Sequence, residues 1–158
     1  SPEEVANKVT SAVLNYSVLK VERVKDCVFD VEKSFSFDGE TAPYMQYTFT
    51  RLESILRKYT ETNVHPNYSC FNTDAFELVK MINNFTATLV IAMEKRDTSI
   101  VAKRVMDLCK TFNHFYTTTK VLDGNDSTTK AKINLVSSLK ECLAVGFNII
   151  CISTMKEM

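Results

Sequence analysis

Three glycines and three prolines are all the backbone punctuation this chain carries, at Gly39, Gly124 and Gly146 and at Pro2, Pro43 and Pro66. Sheets need many turns, and turns lean on glycine and proline, so few strands can be joined this way. Between the breaks, apolar residues return at three- and four-residue intervals, the period of a helix with one dry side. Val5, Val9, Ala12, Val13, Tyr16 and Leu19 form one such stripe, and Met45, Phe49, Leu52, Leu56 and Tyr59 form another. The fold expected is all-α, an antiparallel bundle of five or six helices.

Local signals place the helix ends. Ser1, Pro2, Glu3 and Glu4 read as an N-cap, a first-turn proline and acids facing the positive helix end. Val24, Val28 and Val31 suggest a second, short helix before the break at residues 37–41. Thr41 is placed to cap a third helix from about Ala42 to Tyr59, with Pro43 in its first turn. The longest loop expected is Asn63–Asn72, around Pro66. A fourth helix is predicted from Thr73 to Lys95, a fifth from Ser99 to Val121, and a last from Thr128 to Cys151 interrupted at Gly146. The turn at 123–127, Asp-Gly-Asn-Asp-Ser, is the clearest in the chain.

At 158 residues the chain suits one domain with a proper core. Nineteen lysines and arginines balance nineteen aspartates and glutamates, and no third of the chain is dominated by either sign. That excludes a general electrostatic funnel for phosphate, though not recognition of splayed bases. The longest strongly apolar stretch, Thr88–Met93, is far too short to span a bilayer, and the acidic start does not read as a signal peptide. Five cysteines form no C-x-x-C pair and read as incidental thiols of a reducing compartment. The sequons at Asn15, Asn67, Asn84 and Asn125 are what chance supplies in so asparagine-rich a chain.

No catalytic constellation is visible among the residues. His65 and His114 lack cysteine or carboxylate neighbours at ligand spacing, so no metal site is expected. The three glycines cannot build a phosphate loop, and no serine sits in a G-x-S-x-G turn. Glu94 and Asp107 lie beside basic residues on helices, where solvated ion pairs are the ordinary outcome. The unusual feature lies on the third helix. A quarter turn from its apolar stripe it collects Tyr44, Tyr47, Arg51 and Lys58. Either the tyrosines pack against neighbouring helices and keep only their hydroxyls wet, or flat rings and a guanidinium wait there for unstacked bases.

The run from Asp38 to Tyr47, DGETAPYMQY, followed by Arg51, resembles the arginyl-tRNA synthetase segment [ED]-G-x-T-[GA]-P-Y-x-Q-Y-x-x-x-R. Residues 108–116, LCKTFNHFY, resemble that family's L-x-x-x-F-N-x-F-Y, and the stretch from Val145 to Met158 resembles its closing block without the usual glycine and proline. Lys120 stands where some members have an aromatic. The resemblance implies a DALR-type anticodon-binding domain of the class I aminoacyl-tRNA synthetase kind at residues 39–158. Residues 1–38 would then be a helical connector following a catalytic domain that lies outside this chain.

The same resemblance implies a site. Tyr44, Tyr47, Arg51, Tyr116 and Met158 would line it for the middle anticodon base, with Arg57 and Asn113 as further candidates. On the helical wheel Arg57 falls about 140° from Tyr44 and better suits backbone phosphate or a neighbouring helix. Asn113 could instead satisfy a nearby backbone carbonyl. The partners implied are arginine tRNA and the chain's own catalytic domain. ATP with magnesium and arginine would serve the full-length ligase and no cofactor this fragment, which is expected to be catalytically inert, a monomer, off the membrane and cytoplasmic, or in an organellar copy. A stand-alone tRNA-binding adaptor and a helical protein-interaction module are the alternatives.

Overall fold

The computed structural model describes residues 2–61 and 63–155. Among them are seven α-helices and one 3-10 turn, without strands: α1 (Pro2–Leu19), α2 (Val31–Ser34), α3 (Ala42–Lys58), the turn Tyr68–Cys70, α4 (Thr73–Asn83), α5 (Phe85–Lys95), α6 (Ser99–Thr118) and α7 (Asp126–Ile149). The all-α expectation holds.

Side-chain caps start α3, α4 and α7. The Thr41 hydroxyl accepts from the Tyr44 amide at 3.2 Å and donates to the Ser36 carbonyl at 2.6 Å, so one residue both caps α3 and pins the preceding loop. Asn72 caps α4 and Asn125 caps α7 in the same way. The sequon asparagines thus have structural duties: Asn67 caps the 3-10 turn, Asn84 sits between α4 and α5, and Asn15 donates to the Cys151 carbonyl at 2.7 Å.

The sequence expectations need three corrections. The valines at 24, 28 and 31 do not make a helical stripe: α2 is only four residues long, and Val24 and Val28 are 83% and 89% exposed. With nothing to pack against, a short valine-rich helix lacks the burial that would offset its poor propensity. The long fourth helix is two, because the chain bends by 42° at Asn84. Gly146, expected to interrupt the last helix, lies within continuous α7. Its role is closeness: a Cβ there would overlap Cγ2 of Val105 on α6.

Helix α6 is the axis of the bundle, packed against α1, α3, α4, α5 and α7. Phe112, Phe115, Val105, Leu108 and Cys109 on α6 are buried with Leu139, Leu143 and Phe147 on α7 and with Met45, Phe49 and Leu52 on α3. Ala12, Val13 and Tyr16 of α1 belong to the same core. After α7 the chain turns through Cys151 at φ 55° and runs extended along α3, where the Gln46 amide donates to the Ser153 carbonyl at 3.1 Å and the Thr50 hydroxyl to the Met155 carbonyl at 3.3 Å. Among the described residues no single helix is long and apolar enough to cross a membrane; α4 and α5 would reach that length only as a bent pair.

Candidate nucleic-acid interface

Two helices build the candidate site. α3 buries Met45, Phe49, Leu52 and Ile55 and thereby turns Tyr47 and Arg51, four residues apart, toward its open flank. α6 buries Phe112 and Phe115 and so brings Asn113 and Tyr116 to the same flank. The Arg51 guanidinium lies over both rings, 4.9 Å from the centroid of Tyr47 and 5.0 Å from that of Tyr116. Arg51 Nη1 donates to Asn113 Oδ1, Asn113 Nδ2 donates to Thr48 Oγ1 at 2.8 Å, and the Thr48 hydroxyl donates to the Tyr44 carbonyl at 2.9 Å. A chain of polar contacts thus runs from the buried backbone of α3, across α6, to a cation held between two rings.

The rings stay open. Tyr47 is 46% exposed and Tyr116 40%, so the guanidinium covers only part of each. Beside them lies a hollow of about 370 Å³ lined by Arg51, Ser54, Lys58, Tyr116, Lys120 and the segment through Leu122. Its far wall is fixed from behind: Lys132 Nζ donates to the Lys120 carbonyl at 2.9 Å and to Asp123 at 2.7 Å. Burial by itself would push the Asp123 carboxyl up. The donors from Lys132, Thr129, the Asn125 amide and Thr128 outweigh burial and hold it well below the usual carboxylate range.

The residues expected from the sequence do not all gather here. Tyr47, Arg51, Asn113 and Tyr116 come together through contacts with Arg51, and of these Arg51 and Tyr116 also line the hollow. Asn113 bonds across helices, not to a carbonyl of its own helix. Tyr44 is half-buried against the core and does not line the hollow. Arg57 is exposed and also lies outside the hollow's lining. Met158 falls outside the described residues. Thr48, which anchors Asn113, carried no sequence signal because its partner is distant in the chain, and the Asp123–Lys132 pair carried none because nine residues and a turn-to-helix junction separate the two. His114 meets a single carboxylate, Asp74, at 3.7 Å, and no group of three metal-ligating side chains occurs among the described residues.

Fold and site together define a helical bundle with an open tyrosine–arginine platform on one flank. The chain belongs to the DALR anticodon binding domain family, whose model matches residues 45–158. It is 37% identical to the arginine–tRNA ligase of Clostridium beijerinckii over 158 residues, which is 99% of this chain and 28% of that protein. An arginine–tRNA ligase of Clostridium botulinum is 35% identical over the same shares. The Thermus thermophilus arginyl-tRNA synthetase structure superposes with a TM-score of 0.94 at 29% identity, covering 100% of this chain and 28% of that one. The Plasmodium falciparum arginyl-tRNA synthetase, at 22% identity and a TM-score of 0.87, shares the fold. The chain therefore spans about 28% of the length of the curated relatives it matches.

Proposed function

We propose that this chain is the anticodon-binding part of an arginine–tRNA ligase and holds the middle anticodon base of arginine tRNA against Tyr47, Arg51 and Tyr116. The observation that carries this is the guanidinium fixed between two half-open rings at the lip of a hollow. Every arginine codon has guanine in the middle, so every arginine tRNA has cytosine at the middle of its anticodon. A cytosine drawn out of the loop offers two acceptors, O2 and N3, on the edge that pairing no longer uses. Arg51 has five N–H donors and gives one to Asn113, which leaves donors for that edge. Uracil presents N3–H where cytosine presents a lone pair, so the same donor meets a donor. That mismatch is worth about 1–3 kcal/mol of discrimination, and stacking on a ring a similar amount that any base would receive.

The ligase reaction, joining arginine to tRNA with ATP, belongs in this proposal to a catalytic domain outside the chain, for which this bundle positions the tRNA. The described residues do not suit a nucleotide–magnesium site: they offer no group of three ligating side chains, and Gly39 and Gly124 sit in isolated turns. No step is assigned to them. Residues 1–38 would serve as connector to that domain and residues 39–158 as the anticodon-binding bundle. Within that stretch, α1 is packed into the core through Ala12, Val13 and Tyr16. A monomer working in the cytoplasm, or an organellar copy, completes the proposal. Filter binding with arginine tRNA and with the same tRNA carrying uracil at the middle anticodon position tests it. A loss of roughly 5- to 150-fold is expected; equal affinity for the two would overturn it.

A further inference from the structure

The hollow beside Tyr116 is unusual in its charge. Arg51, Lys58 and Lys120 share its lining, and no lining residue is acidic, in a chain whose formal charge sums to zero. Lysines on α7 are neutralised: Lys130 by Glu61 at 3.2 Å, Lys132 by Asp123 at 2.7 Å and Lys140 by Glu53 at 3.0 Å. Lys58 and Lys120 are exposed and have no ion-pair partner among the described residues. A concavity walled by one sign of charge focuses potential and gathers counter-charge. Lys120 does not hang from a loose loop, since Lys132 Nζ holds its carbonyl. At about 370 Å³ the space is within the range of sites that take a nucleotide-sized group.

We infer that this hollow is a binding site for a phosphodiester group of an RNA strand, held by the ammonium groups of Lys58 and Lys120 beside the base that Tyr47 and Tyr116 receive. The identity of the strand as an anticodon loop rests on the function proposed above; the phosphodiester chemistry rests on the charge and shape of the hollow. The two lysines act as point charges on the backbone, so they raise affinity without reading sequence.

The test measures affinity of the full-length protein for two hairpins across a salt series from 50 to 200 mM. One hairpin carries the arginine anticodon loop, the other the same loop with its middle base changed to uracil. Lys58→Gln and Lys120→Gln are each expected to lower the slope of log affinity against log salt by about 0.7, the increment of one single-strand phosphate contact. That increment is about a threefold difference over this salt range, and it should be equal for both hairpins. Lys58→Arg and Lys120→Arg should keep the original slope, and thermal melts should be unchanged because both side chains are exposed. An unchanged slope in the double Gln variant would overturn the inference, even if inorganic phosphate bound. So would a loss confined to the cytosine hairpin, or failure of the parent protein to bind either hairpin. If the parent binds both hairpins equally but the slopes still fall, the base-reading proposal fails and the phosphate site stands.

Discussion

Replacing Asn113 with alanine would cut the polar chain that holds Arg51 in place. Two hydrogen bonds go: the one Asn113 Oδ1 accepts from Arg51 and the one its amide donates to Thr48. A bond to a charged group is worth about 1.5–3 kcal/mol and a neutral one about 1, but Arg51 is only half-buried and water replaces part of its loss. Thr48 is buried yet keeps its bond to the Tyr44 carbonyl, so its hydroxyl is not left without a partner. Alanine also suits a helix interior better than asparagine by roughly half a kcal/mol. The balance is a destabilisation of about 1.5–2.5 kcal/mol, or roughly 4–8 °C in Tm for a chain of this size. Calorimetry on Asn113→Ala, Arg51→Met and the double variant would give the coupling between the two side chains, expected at about 1–2 kcal/mol. tRNA binding should weaken with Asn113→Ala although Asn113 itself donates nothing further, because the unfixed guanidinium must be ordered on binding. Additive effects in the double variant, or a Tm unchanged within a degree, would show that the Arg51–Asn113–Thr48 chain is not formed in solution.

Tyr47→Ala should leave Tm nearly unchanged, since the ring is half open, while tRNA affinity falls about 5- to 150-fold, the worth of one stacking contact; parallel losses in melting and filter binding would instead make Tyr47 a packing residue. Gly146→Ala should cost about 1–3 kcal/mol, because Val105 is buried, β-branched and unable to rotate away. Adding Val105→Ala should recover part of that, and denaturant melts in which the double variant is the less stable would refute the close α6–α7 approach. Acid should loosen the wall behind Lys120. With its folded-state pKa depressed, Asp123 supports the fold above its unfolded value of about 3.9 and loses that support as pH falls through the lower folded value. Asp123→Asn should therefore flatten the acid side of the stability profile, as followed by circular dichroism from pH 7 to pH 2, and a profile identical to the parent's would count against the clamp.

Much of the fold was legible because helices are local objects. Thr41 with Pro43, the Asp-Gly-Asn-Asp-Ser turn and the spacing of Met45, Phe49 and Leu52 each act within one or two turns of chain, and each does in the structure what its chemistry suggests. The valines at 24, 28 and 31 misled because periodicity reports the possibility of a dry face and not the presence of a neighbour to cover it. Asn84 gave no clear break signal, since asparagine is tolerated inside helices, and the two helices it separates each pack on α6.

For the site, the division is similar. The chain's own pattern put Tyr47 and Arg51 on one flank of one helix, since four residues make just over a full turn, and likeness to relatives named Asn113 and Tyr116 as companions. Only tertiary packing decided that the guanidinium sits between rings from two helices, that Tyr44 is drawn toward the core, and that Lys58 and Lys120 face one hollow without a carboxylate. Those outcomes depend on where α6 and the 119–122 segment lie against α3, more than forty residues away in sequence. Contacts of that range are set by how whole helices bury their stripes together, which no local spacing encodes.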